Sequence, residues 1–119
     1  MGSFEVAVRI ANPIVPDRSI IMQLLVDTGA TLTALPRPVL QSLGITPGMS
    51  RTFILGDGRR VQRETSSVLA TMDGVTMPIP VMFAEGGDAP VLGATALEIL
   101  GFAVDPVEKK LVPRDLLAL

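Results

Sequence analysis

Between Ile20 and Pro36 apolar residues carry the chain into an acid, Asp27, and away from it again: Ile-Ile-Met-Gln-Leu-Leu-Val-Asp-Thr-Gly-Ala-Thr-Leu-Thr-Ala-Leu-Pro. Before Asp27 the chain is apolar on both faces except at Gln23, which predicts a central strand over residues 19–26. A carboxylate set between apolar runs costs free energy unless it is hydrogen-bonded, paired or protonated. Thr28 can offer a hydroxyl, and Gly29 permits a sharp turn or a close backbone approach. Two readings fit the tripeptide equally. Asp27 is a catalytic acid held at a strand end, or Asp-Thr-Gly is a turn made of ordinary turn formers.

The rest of the chain reads as short strands punctuated by turns. Phe4, Val6, Val8 and Ile10 alternate with Glu5, Ala7, Arg9 and Ala11, the period of a half-buried strand. Asn12-Pro13 and Pro16-Asp17 mark a loop. Residues 31–35 are β-rich and stop at Pro36, and residues 36–43 read as a short helix with Gly44 as its C-terminal cap. A strand over 50–55 leads into Gly56-Asp57-Gly58, a hairpin signal. The return arm, 59–72, is largely polar and is expected to face water. Asp73-Gly74 predicts a second tight hairpin. The strand 75–84 carries Pro78 and Pro80, so part of it must be an edge or a bulge.

Residues 85–90 form a loop, Val91-Leu92-Gly93 a short apolar strand, and 94–100 a two-turn helix capped by Gly101. A closing hairpin (102–104 with 110–113) and an apolar tail, 114–119, that should dock on something complete the chain. Seven or so strands with two short helices predict a mainly β barrel or sandwich, in one domain spanning 1–119. Gly29-Ala30-Thr31 recurs as Gly93-Ala94-Thr95, each after an aliphatic strand, a weak echo that would suit two similar halves.

Composition narrows the chemistry. Hydrophobic residues make up 48% of the chain but aromatics only 3%, more aliphatic surface than one small core hides easily. That favours an oligomer interface, with a well-packed monomer as the alternative. The formal charge is −2, and the cluster Arg51, Arg59, Arg60, Arg63 is broken by Asp57 and Glu64, which gives little support to nucleic-acid binding. Arg59, Arg60 and Arg63 of the return arm are expected to be a solvated face rather than a substrate selector. With no Cys and no His, disulfides, thiolate nucleophiles, Cys zinc sites and Ser-His-Asp hydrolases are excluded. No run is long enough for a membrane span and no leader pattern appears, so a soluble cytoplasmic protein is expected. Among the other acids, Asp57 and Asp105 read as turn formers. Glu85 and Asp88 read as loop solvation, with a weak cation site as the alternative.

Leu24 to Thr31, Leu-Leu-Val-Asp-Thr-Gly-Ala-Thr, resembles the active-site motif of the retropepsin-like aspartic proteases. Three further features follow in that family's order: a Gly-bearing hairpin at 53–61 in the place of its flap, Val91-Leu92-Gly93-Ala94 turning into a helix, and a terminal hairpin from Phe102 to Pro113. The similarity spans about Phe4 to Pro113. It implies a closed β-barrel of the acid-protease type with one or two short helices. It also implies peptide-bond hydrolysis without cofactor or metal.

One Asp-Thr-Gly per chain then implies a homodimer, because aspartic proteolysis needs two carboxylates sharing a proton. By resemblance Asp27 is catalytic, Thr28 bonds across the axis, Gly29 admits close approach, and Ala30 packs beside the first substrate pockets. Leu55, Gly56, Asp57 and Gly58 would close over an extended peptide; a plain solvent hairpin is the alternative. The chain has no Tyr for that flap, and it has Ala30 where pepsin-like enzymes have Ser. Loss of that donor should raise the dyad's apparent pKa values and move the optimum toward mild acid or neutrality. Two rivals remain: a retropepsin-like domain that dimerises or binds peptides without cleaving them, and an unrelated β module whose Asp-Thr-Gly is only a turn.

Overall fold

A computed structural model describes residues 3–118; Met1, Gly2 and Leu119 lie outside it, and with Leu119 the last residue of the apolar tail. The described chain is mainly β, with nine strands and two short helices. In chain order these are β1 (Glu5–Ala11), β2 (Ser19–Val26), β3 (Thr33–Pro36), α1 (Arg37–Ser42), β4 (Ser50–Ile54) and β5 (Arg60–Met72). Then come β6 (Val75–Ala84), β7 (Val91–Leu92), α2 (Ala94–Leu100), β8 (Phe102–Asp105) and β9 (Lys110–Pro113).

Strand pairing runs β1-β2-β7-β3-β6-β5, and β5 returns to β1 through Arg9↔Thr71, Ile10↔Ala70 and Ala11↔Leu69. Six strands thus form a ring of pairings, with β4 hanging from β5 outside it. Two links are parallel, β2 with β7 and β3 with β6. Strand alternation fills the interior: Val8, Ile10, Leu24, Val68, Val81 and Phe83 are all fully buried, with Leu40 of α1 and Leu97 of α2 packed into the same core. Burying one such side chain contributes roughly 1.5–3 kcal/mol.

The turns obey their residues. Asp73 and Gly74 both take positive φ (50° and 79°), as an Asp-Gly hairpin of type I′ requires. After α1 the Gly44 N–H bonds the Gln41 carbonyl and the Ile45 N–H that of Leu40, a Schellman closure around the left-handed Gly44. The prolines of β6 are accommodated by an edge. Strand β3 joins β6 only from Val81 to Ala84, so at Pro78 and Pro80 only β5 is paired, and the two residues share one direction.

Strand β2 differs from its sequence reading. Leu24 and Val26 are buried, but Ile20 and Ile21 are 40% and 67% exposed. The two-residue β7 covers β2 only at Leu25 and Val26, leaving β2 central at its C-terminal end and an edge at its start. In the tail, Leu116 and Leu117 are 64% and 88% exposed on the single chain. The polar return arm is split. In β5 Val68, Ala70 and Met72 enter the core while the first half pairs with β4 and stays largely open.

Candidate active site

The parallel link between β2 and β7 delivers two loops to one place. Beyond Leu25↔Val91 and Val26↔Leu92, the Asp27 N–H bonds the Leu92 carbonyl at 3.0 Å. The Ala94 N–H then bonds the Ala30 carbonyl (2.7 Å) and the Thr95 N–H that of Thr31 (3.0 Å). The repeated Gly-Ala-Thr segments therefore lie side by side and hold each other. Gly93 is fixed by this crossing. A Cβ there would sit 2.6 Å from the carbonyl carbon and oxygen of Leu32, too close for any side chain. The buried Thr33 hydroxyl accepts the Gly93 N–H at 3.1 Å and completes the junction. Thr33 carries no sequence signal beyond a hydroxyl in an apolar run.

On this junction the Asp27 carboxylate is exposed. Its Oδ1 accepts the Gly29 N–H at 2.9 Å, and the Ala30 N–H bonds its carbonyl at 3.2 Å, so Asp-Thr-Gly is a turn and also presents an acid outward. A Cβ on Gly29 would crowd Asp27 Oδ1 at 3.2 Å. Among the described residues Asp27 has no cationic partner.

Asp27, Gly29 and Ala30 form one wall of a cleft of about 790 Å³. The facing wall is the β4–β5 hairpin, through Arg51, Thr52, Phe53, Ile54, Leu55 and Gly56. The floor is a small apolar cluster of Ala34, Met82 and Val91, against which Ala30 and Phe53 pack, separate from the main core. Leu55 and Gly56 thus share the cleft with Asp27. Asp57 and Gly58 are at the hairpin tip outside its lining, and Thr28 is exposed beside it. The tip is a tight three-residue loop: the Gly58 N–H bonds the Leu55 carbonyl, and Gly58 takes φ 87°. Asp57 accepts the Arg59 N–H and guanidinium, which holds its carboxyl below the usual range. Asp105 likewise starts its turn by accepting the Val107 and Glu108 N–H groups.

The loop acids are structural rather than solvated, against the sequence reading. Arg63 grips both oxygens of Asp88, Nε to Oδ2 at 2.7 Å and Nη2 to Oδ1 at 3.2 Å, and the Glu85 N–H also bonds Oδ2. The side chains of that pair are only 17% and 9% exposed, so Arg63 is not part of a solvated face. Arg37, at the start of α1, binds Glu85 and Glu64 and lies over the Phe83 ring at 4.8 Å. The guanidinium bonds hold Asp88 and Glu85 below the ordinary carboxylate range and push both arginines upward. These partners are 25 to 48 residues apart and have no local sequence signal. Among the described residues no cluster of three or more acids could hold a metal ion.

Comparison with known proteins agrees with this geometry. Residues 18–99 match the family described as "gag-polyprotein putative aspartyl protease". The fold is similar to that of EIAV protease, solved in complex with the inhibitor HBY-793, at a TM-score of 0.61 and 19% identity over 84% of this chain and 89% of that one. No curated protein matches the sequence.

Proposed function

This chain belongs to the retropepsin-like aspartic proteases of the gag-polyprotein type, and we propose that it acts as a homodimeric endopeptidase whose Asp27 forms a dyad with its symmetry mate. The carrying observation is the state of the acids around the cleft. Asp88, the other carboxylate lining it, is saturated by Arg63 and the Glu85 N–H, whereas Asp27 keeps an oxygen uncommitted and makes no ion pair among the described residues. One chain therefore offers one usable carboxylate, and a two-fold axis beside Asp27 would supply the second.

At close range two carboxylates share one proton. The ionised member removes a proton from water as the water attacks the scissile carbonyl, and the protonated member donates to the carbonyl oxygen. In this reading the ring of strand pairings is a closed barrel of the acid-protease type. Thr28 ties the two loops across the axis, and Gly29 and Ala30 border the peptide. The segment from Leu55 to Gly58 is the flap, adding strand-like pairing to an extended substrate. The exposed Leu116 and Leu117 are a candidate part of the dimer interface, as is β1.

Sedimentation mass together with a peptide-library assay, with and without pepstatin, tests the proposal on wild type and Asp27→Ala. A dimer with pepstatin-sensitive cleavage that vanishes in Asp27→Ala is expected. A stable dimer that cleaves nothing at any pH would leave a peptide-binding or dimerisation domain instead. A cleaving monomer would refute the shared dyad. A pH–rate profile peaking below about pH 3 would contradict the effect assigned to Ala30.

A further inference from the structure

Strand register sets two arginines opposite each other beside the cleft. Arg51 of β4 pairs directly with Arg63 of β5. Like charges in that position repel and destabilise an antiparallel pair. Only one of the two is compensated. Arg63 is bound bidentately by Asp88, while Arg51 is exposed and makes no ion pair among the described residues. Arg51 lines the cleft, and the other ionisable groups in that lining are Asp27 and the saturated Asp88. Alternation along β4 places Arg51 on the same side of the hairpin as Phe53, which packs on the apolar floor of Ala34, Met82 and Val91. The guanidinium thus borders an apolar trough, with a repelling neighbour behind it and no carboxylate of its own.

We infer that Arg51 determines specificity by taking a carboxylate of the bound peptide, so that the cleft selects a substrate with Asp or Glu at fixed positions flanking the scissile bond, one on each side for the Arg51 of each protomer. The inference rests on the reading of this cleft as a peptide site. A planar guanidinium suits bidentate capture of a side-chain carboxylate. The incoming acid would give Arg51 the counter-charge that Asp88 already gives Arg63, which a neutral residue cannot supply. Each position is fixed because an extended peptide held by the hairpin presents its side chains in strict alternation.

The test uses the full chain carrying Asp27→Asn, so that peptides are bound and not cut, and fluorescent peptides in which one Glu is walked through the sequence beside Gln twins. At one position on each side of the scissile bond Glu should bind about three- to tenfold tighter than Gln, the range of a charge pair that is partly shielded from water. High salt should reduce that ratio. Adding Arg51→Ala should bring it to one, Arg51→Lys should keep part of it, and Arg51→Glu should favour Lys at the same positions. An equal Glu preference with Arg51→Ala, no preference at any position, or no binding at all overturns the inference. Wild-type cleavage separates the two claims. Cleavage without a Glu preference refutes only the role of Arg51, and Glu-selective binding without cleavage refutes only the peptidase.

Discussion

Two loops border the cleft with an acid apiece, and the chain treats the acids in opposite ways. Asp88 receives three donors, two from Arg63 and one from the Glu85 N–H, whereas Asp27 receives one, from the Gly29 N–H. A guanidinium clamped on a carboxylate favours the ionised form and lowers its pKa, which works against holding a shared proton. An acid meant to share a proton must have no such clamp. In sequence the two acids also differ, since Asp27 lies between apolar runs and Asp88 in a Gly-rich loop. Asp27 follows the buried end of β2, at Leu24 and Val26, yet is presented to solvent, where a second chain could meet it.

The largest effect should come from the uncommitted acid. Asp27→Asn preserves the oxygen that accepts the Gly29 N–H, so folding and melting temperature should be nearly unchanged. Peptide hydrolysis should fall by roughly 10³-fold or more, at or beyond the typical contribution of a positioned acid–base group. Comparable loss of stability and activity in parallel would mean that Asp27 is chiefly a turn former. Next in size is Gly93→Ala at the crossing of the same two loops. Its Cβ would meet backbone atoms of Leu32 at 2.6 Å, and backbone cannot swing aside as a side chain can. A loss of about 3 kcal/mol in denaturant unfolding is expected. An unperturbed midpoint would show that the junction is looser than its hydrogen bonds imply.

How much of this contrast could be read in advance depends on the range of the interaction. The turn at Asp73-Gly74, the strand Val75–Ala84, the helix Ala94–Leu100 with its Gly101 cap and the Asp27 turn are all set by neighbours in sequence, and each was legible there. Arg63 and Asp88 were not, since only the pairing of β5 with its neighbours brings them together, and charge pattern alone made each look solvated. The open start of β2 was hidden for a related reason. Its aliphatic content is uniform, but a two-residue β7 cannot cover eight residues of it. Thr33 and Arg37 were likewise invisible, because their partners, Gly93 for one and Glu64 and Glu85 for the other, lie far along the chain.

The clamped acid gives a mid-sized effect of a different kind. Asp88→Asn removes the charge but keeps the shape, leaving Arg63 without its counter-charge on a mostly covered site. A loss of about 1–2 kcal/mol at neutral pH is expected, below the value for a fully buried pair because water still reaches both partners. The pH dependence carries the sign. The folded-state pKa values of Asp88 and Glu85 are depressed. Their stabilisation is therefore fully present above the unfolded carboxylate values, about pH 4, and is lost as pH falls through the lower folded values. Melting temperature should be flat from about pH 5 upward and decline below about pH 4, with a shallower decline in Asp88→Asn. An acid limb identical in the variant would mean that other carboxylates set it.

The smallest effect should belong to Asp57, which like Asp27 stands beside glycine just after a strand. Its surroundings differ in the decisive respect. Oδ1 accepts the Arg59 N–H and Oδ2 the Arg59 guanidinium, the ion pair is 70% and 55% exposed, and the residue lies outside the lining of the cleft. An exposed pair two residues apart contributes little, since water solvates either partner almost as well. Asp57→Asn can keep the turn bond through its amide oxygen, so the melting temperature should move by no more than about 1–2 °C. If the hairpin closes over peptide through its backbone, cleavage should change by no more than about twofold, because the N–H and carbonyl groups of Leu55 to Gly58 are unaltered. Activity in Asp57→Asn as low as in Asp27→Asn would break the comparison, since it would place a second working acid in the same chain and remove the need for a partner.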